Sequence, residues 1–221
     1  AKYLHITSNN TIYGTQWKTF PVTLNPEGYL VADMSSDIFS RSLNFNSFGL
    51  IYAGAQKNMG PAGVTMVIIR DDILGKVDRH IPTMLDYRTH IDKGSAFNTP
   101  PVSAIFVVNR TLRWLADLGG VQAIEQKNKM KADRLYDEIE RNSLFKSPIA
   151  EEDRSLMNVP FVFVENEDEN EFLDFCTDRG LMTLKGHRSI GGFRASIYNA
   201  MPEAGVDALI AAMREYESQR S

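Results

Sequence analysis

The alternation of apolar and polar residues begins almost at the first position. YLHIT (3–7) reads as a short strand, and the polar SNNTIYG after it reads as a turn. Beyond the Asn25-Pro26-Glu27-Gly28 turn, YLVA (29–32) is a compact apolar run that stops at Asp33 and a Ser-Ser pair. LIYAGA (50–55) and VTMVIIR (64–70) are two more such runs. Apolar runs this continuous predict a sheet covered on both faces. Helical spacing then takes over. Thr99 is placed as an N-cap, with Pro100 and Pro101 pre-set for a first turn, and a helix is predicted from Val102 to Asp117, ended by Gly119-Gly120. Its inner face is expected to carry Val107, Thr111 and Trp114. A second, charged helix is predicted over 121–141, with Val121, Ile124, Leu135 and Ile139 as its apolar stripe.

From about residue 142 the texture changes. NVPFVFVE (158–165) reads as a strand, NEFLDFCTDRGL (170–181) as a helix closed by Gly180, and FRASIYN (193–199) as a strand. A last helix, about 203–217, sets Val206, Leu209, Ile210 and Met213 on one face. Strand and helix alternating at this size predict a small α/β or α+β lobe. The expected division is residues 1–116 and 117–221, with a helical connection over about 102–141.

Composition narrows the classes. The 221 residues are 43% hydrophobic and 24% charged, as in ordinary globular proteins. A net charge of -4 offers no bulk field to nucleic acid or an anionic membrane, so any anion site has to be local. No stretch reaches the roughly 18 apolar residues of a membrane span. Cys176 is the single cysteine, which leaves no intramolecular disulfide and suits a reducing cytoplasm. The four histidines show no metal-ligand spacing, and no metal is expected. The opening AKYLHITSNN, without methionine, reads either as entry into the middle of a domain or as a processed start.

Four places carry candidate chemistry. Lys57 stands among the glycines and alanines of YAGAQKNMGPAG, where neither helix nor strand propensity asks for it. Its amine either is solvated in a turn or adds to an aldehyde to give a Schiff base. Asp33, just past an apolar strand, lies where open α/β sheets bind ligands. It either caps the turn at Ser35-Ser36 or faces a pyridinium nitrogen. In LKGHRSIGGFRASIYN, His187, Arg188 and Arg194 adjoin glycines; they either decorate a basic hairpin or bind carboxylate and phosphate. Asn98 and Thr99 precede a helix start, where backbone amides and a hydroxyl can hold a phosphate or simply cap the helix.

Together, YAGAQKNMGPAG, FNTPP and KGHRSIGGFRASIYNAMP, with SNNTIYGTQ and ADMSSDIFSR, resemble the phosphoserine aminotransferases, pyridoxal-phosphate enzymes of fold type I. The resemblance runs in order over essentially the whole chain. It implies an α/β fold: part of the large cofactor domain with a mixed sheet, plus a small carboxy-terminal domain. It implies that Lys57 joins the cofactor covalently and moves protons, that Asp33 bonds the pyridine nitrogen, and that Thr11 bonds the ring oxygen. Gln56 would contact the cofactor phosphate. Asn98 and Thr99 would reach the cofactor phosphate of a neighbouring subunit, making a homodimer. His187 and Arg188 would take the substrate phosphate, and Arg194 the α-carboxylate. The implied reaction passes an amine from glutamate to 3-phosphohydroxypyruvate in serine biosynthesis, and the resemblance extends to members that also serve pyridoxine biosynthesis. Members of that family are longer, so this chain is expected to be a carboxy-terminal portion. The alternatives are a catalytically incomplete piece that persists by self-association, or another fold-type-I enzyme of the desulfurase-like or alanine–glyoxylate aminotransferase type. His187 and Arg188 argue against the latter, since its substrates carry no phosphate.

Overall fold

The computed structural model describes residues 1–165 and 167–220. The first half holds strand β1 (Tyr3–Thr7), a small hairpin of β2 (Asn9–Asn10) and β3 (Thr15–Gln16), and strands β4 (Tyr29–Asp33), β5 (Leu50–Gly54) and β6 (Thr65–Ile69). A short helix α1 (Tyr87–Ile91) leads to the long helices α2 (Val102–Asp117) and α3 (Gly120–Arg141). Strands β7 (Phe145–Lys146) and β8 (Asn158–Phe163), helix α4 (Glu169–Thr177), strand β9 (Phe193–Ser196) and helix α5 (Glu203–Ser218) complete it.

The first sheet has the order β1-β4-β5-β6. Its first three strands run parallel and β6 returns antiparallel to β5, so the sheet is mixed. Thr7, Asp33 and Tyr52 pair across one row, which brings the carboxyl ends of all three parallel strands to one edge. One face, with Ile6, Leu30, Ala32, Ile51 and Ala53, is buried against Met34, Ile38, Met59 and Val108. The other face is not covered as expected. There Tyr3 and His5 are exposed, and Val31 and Tyr52 are half-buried, so β4 and β5 alternate with the period of two of a one-sided sheet.

The second core is aromatic. Phe145, Phe161, Phe163, Phe172 and Phe193 sit with Tyr216 between the antiparallel sheet β7-β8-β9 and helices α3, α4 and α5. Ile124, Leu135 and Ile139 are buried on α3 while Val121, at its start, is half-buried; Val206, Leu209, Ile210 and Met213 are buried on α5, as their spacing predicts. Pro160 lies inside β8, paired with Arg194 of β9. The Arg194 amide turns away from β8 to the Leu184 carbonyl, so this is a non-bonded pair and the missing N–H of Pro160 points away from β9. The turn of the β2–β3 hairpin fills that side: Gly14, at φ 66°, comes so close that an added Cβ would lie 2.2 Å from the proline Cδ.

Several local expectations need correction. Trp114 is 41% exposed rather than in the core, because the buried residues of α2 are Ala104, Val108 and Leu115 and position 114 falls about 100° away from that stripe. Val107 is exposed for the same reason. Pro101, not Thr99, stands at the α2 N-cap, and no side chain caps it; each proline forces the residue before it into an extended conformation. Helix α4 ends at Thr177, and Gly180 closes the turn after it through its amide bond to the Thr177 carbonyl. Among the described residues, no helix is long and apolar enough to cross a membrane.

A polar seam joins the two cores. Asn9 donates to Ser36 Oγ at 2.8 Å and to Asn158 Oδ1 at 2.9 Å, and its own Oδ1 accepts from Ser155. Buried Asp37 accepts from Ser8 and, at 3.1 Å, from Gln16, whose carbonyl takes the Leu156 amide at 3.2 Å. Burial raises the Asp37 carboxyl above its ordinary range, against the pull of Ser8, Gln16 and Arg41.

Candidate active site

Each of the three parallel strands hands one functional residue to the common edge. From β1 the chain enters the small hairpin, whose tip holds Thr11; Asn10 Oδ1 fixes that tip by accepting the amides of Ile12 and Tyr13 at 3.0 Å. From β4 comes Asp33. From β5 the chain turns tightly, with the Met59 and Gly60 amides both on the Ala55 carbonyl, and lifts Lys57 toward Thr11.

Lys57 Nζ donates to Thr11 Oγ1 at 2.6 Å. The same ammonium lies 6.0 Å from the ring centroid of Tyr198, whose hydroxyl accepts from Asn158 Nδ2 at 3.1 Å. Arg194 Nη1 reaches the Thr11 carbonyl at 3.4 Å, while its Nε is buried with no hydrogen-bond partner. Thr11 therefore gathers two cations from positions 46 and 183 residues away in the chain. A lysine amine and a guanidinium with a buried donor to spare, converging on one point, make a site for an electrophile attached to an anion.

Asp33 Oδ1 accepts the Ser35 amide at 2.8 Å, so the turn-capping role is real. The carboxylate also neighbours Tyr52: burial first, then the Asp33 charge and a hydrogen bond to it, raise the Tyr52 phenol above its ordinary value. Tyr52 Oη in turn meets His5 Nε2 at 2.9 Å, with the two rings stacked at 5.9 Å. His5 and Tyr52 are partners of the site that the sequence does not reveal, since they reach Asp33 only through the register of three strands. Asn158, which orients Tyr198, escapes notice for a similar reason: it comes from the other core.

The remaining candidates make no hydrogen bond to the lysine. Gln56 is exposed beside it. His187 Nδ1 bonds Ser189 Oγ at 2.7 Å, and Arg188 is exposed. Both belong to a loop tied shut by the Gly186 amide on the Gly192 carbonyl and by the Gly192 amide on Glu169 Oε1, each at 2.8 Å. Gly192 adopts φ 62°, and a Cβ there would lie 2.6 Å from Val162 Cγ1, so the loop requires glycine at this position. Asn98 and Thr99 are exposed on the approach to α2; Asn98 Nδ2 bonds the Thr99 carbonyl at 3.4 Å, and neither makes a hydrogen bond to Lys57, Thr11 or Asp33.

The family model for class-V aminotransferases matches residues 1–209. A phosphoserine aminotransferase of Parabacteroides distasonis is 55% identical over 221 residues, 99% of this chain and 61% of that one. That of Bacteroides fragilis is 54% identical over 219 residues, covering 98% and 61%. Among solved structures, phosphoserine aminotransferase from Bacillus circulans subsp. alkalophilus superimposes with a TM-score of 0.94 at 45% identity, over 99% of this chain and 60% of that one. The pyridoxal-phosphate-bound enzyme of Trichomonas vaginalis does so at 0.89 and 42% identity, over 96% and 60%. An alanine–glyoxylate aminotransferase from Nostoc sp., 14% identical with a TM-score of 0.76, shares the fold alone. The α/β architecture with its mixed sheet is thus that of the fold-type-I aminotransferases. This chain spans about 61% of the length of the curated relatives it matches.

Proposed function

Since the chain belongs to the class-V aminotransferase family, we propose that it serves glutamate-dependent transamination of 3-phosphohydroxypyruvate to 3-phosphoserine, a step of serine biosynthesis, with pyridoxal 5'-phosphate held on Lys57. The observation that carries this reading is the convergence of Lys57 Nζ and Arg194 Nη1 on Thr11. The buried, unpartnered Arg194 Nε is a donor set aside for an anion. Identity of 55% to a phosphoserine aminotransferase supports the choice of substrates.

The residues fit the cofactor. Lys57 supplies the amine, Asp33 a counter-charge for the ring nitrogen, Thr11 Oγ1 a partner for the ring oxygen, and Gln56 a donor for the phosphate. When bound, pyridoxal phosphate supplies an electron sink for the charge left at the substrate α-carbon. Lys57 Nζ takes the proton from that carbon and returns one during the exchange. Thr11 holds the amine in place between transfers. Arg194 grips the α-carboxylate, and His187 with Arg188 takes the substrate phosphate, so that two anionic groups fix the reacting carbon between them.

We propose two units, 1–116 binding the cofactor and 117–221 closing on the substrate. We also propose a homodimer in which Asn98 and Thr99, remote from Lys57 in their own chain, serve the neighbouring cofactor phosphate. A cytoplasmic location fits small phosphorylated metabolites and the free thiol of Cys176.

The test is addition of pyridoxal phosphate to the purified chain, followed by borohydride reduction and peptide mapping. A visible band that reduction fixes on Lys57, and that Lys57→Ala abolishes, is the expected result. Reduction onto another lysine with Lys57 untouched overturns the assignment. Absence of any adduct favours the catalytically incomplete piece instead.

A further inference from the structure

Three backbone carbonyls, of Ile197, Tyr198 and Met201, converge on one side chain. Lys131 Nζ donates to them at 3.1, 3.0 and 3.1 Å. The residue lies inside α3 and is 1% exposed. Among the described residues no carboxylate lies within ion-pair distance of it. Burial lowers its pKa to about 8, with the Glu203 charge opposing and the Lys127 charge adding to the shift. A cation placed where only carbonyls receive it gives up more hydration than it recovers in attraction. Fixing the turn between β9 and α5 is what this arrangement achieves, because an ammonium has three donors and all three are used on that turn.

The turn carries two residues that meet the Lys57–Asn58 pair, Tyr198 at the lysine and Asn199 at the asparagine. Tyr198 places its ring 6.0 Å from Lys57 Nζ. Asn199 donates its amide to Asn58 Oδ1 at 3.1 Å and its Nδ2 to the Phe39 carbonyl at 2.9 Å. Asn58, next to Lys57 in the chain, is anchored on its other side by donation to the Ile38 carbonyl at 3.0 Å. Asn128, one turn before Lys131 on α3, donates to Asn199 Oδ1 at 2.8 Å and to the Ser40 carbonyl at 3.0 Å. One helix face thus holds the turn from behind at Lys131 and from the side at Asn128.

We propose that Lys131 is a positioning residue for Lys57: it locks the Ile197–Met201 turn so that Tyr198 and Asn199 bracket the Lys57–Asn58 pair and keep the amine on Thr11. It touches neither substrate nor cofactor and acts through Tyr198 and Asn199. This rests on the reading of Lys57 as the cofactor-bearing amine, but the geometry it asserts exists without the cofactor.

The experiment is trace labelling with acetic anhydride, scored by peptide mass spectrometry as Lys57 acetylation relative to exposed Lys93. Pyridoxal phosphate trapping by borohydride is run in parallel. Lys131→Met keeps the length and removes every donor; Lys131→Gln keeps two donors in case the methionine variant does not fold; Lys131→Arg restores charge and donors. In variants shown to be folded by circular dichroism, Lys57 labelling rises roughly fivefold in Lys131→Met, the factor expected when one ordinary hydrogen bond is lost. It rises less in Lys131→Gln and returns toward the starting value in Lys131→Arg. Trapping on Lys57 falls about tenfold in Lys131→Met, since a misplaced amine reacts poorly even when accessible. Unchanged Lys57 labelling in a folded Lys131→Met or Lys131→Gln chain overturns the proposal. If the unsubstituted chain traps no cofactor yet labelling responds to Lys131, positioning stands and the proposed function falls; normal trapping with unresponsive labelling gives the reverse.

Discussion

Thr11 receives Lys57 through its hydroxyl and Arg194 through its carbonyl, so the two cations are held by different atoms of one residue. The carbonyl contact is long, 3.4 Å, and leaves the guanidinium able to turn toward a carboxylate. Arg194→Ala is therefore expected to weaken glutamate binding about 10- to 100-fold, the range for a lost charge-assisted pair. Its melting temperature should stay near the original. Titration of the cofactor-loaded chain with glutamate, followed by absorbance, measures the first, and calorimetry the second. Gly192→Ala should behave oppositely. Its positive φ and the 2.6 Å approach to Val162 are expected to cost about 1–3 kcal/mol in denaturant unfolding. Lys57 and Asp33 are legible in the sequence because each follows an apolar strand within a few residues. Tyr52, Asn158 and Asn199 are not, because what places them is strand register or the far core, neither of which any local spacing records.

At the scale of the element, apolar spacing located α2, α3 and α5 almost to the residue, yet it turned α2 the wrong way round. A helix advances about 100° per residue, so choosing 107, 111 and 114 over 104, 108 and 115 as the inner stripe displaces the whole face. Trp114 is the largest residue of α2, yet the buried stripe runs past it through Ala104, Val108 and Leu115. The two-residue strands β2, β3 and β7 carry no periodic signal to read. The tie between α3, α5 and the chain after α3 is electrostatic and should respond to acid. Glu217 accepts the Ser143 amide and an Arg141 N–H, both at 2.6 Å, and these hold its carboxyl at about 2. A carboxyl depressed on folding contributes stability that is fully present above its unfolded value of 4.5 and is lost as pH falls toward 2. Urea unfolding should show Glu217→Gln less stable than the original chain at pH 6, with the difference closing by about pH 2. A constant gap across that range would mean the carboxylate charge plays no part.

For the whole molecule, the surface that remains apolar is the informative one. Phe106 is 62% exposed and Val102 67%, about one turn apart on the same helix as Trp114. A patch of this kind marks a contact surface. The chain is expected to sediment as a dimer or larger species, and Phe106→Glu to shift it toward the monomer; an unchanged sedimentation profile would count against α2 as the contact. The succession of strands and helices and the family resemblance conveyed an α/β architecture, but which sheet face is covered depends on surroundings that a single sequence does not display. Pro160 bears on the same question from the other side. Its ring stands on the flank of β8 that lacks a full-length neighbour, beyond the reach of two-residue β7, and Gly14 is pressed against it. A strand without that amide cannot extend its ladder to a newcomer. Seated on that ring, the hairpin turn closes this flank of β8 by packing in place of a ladder, and so ties the Thr11 loop to the second core.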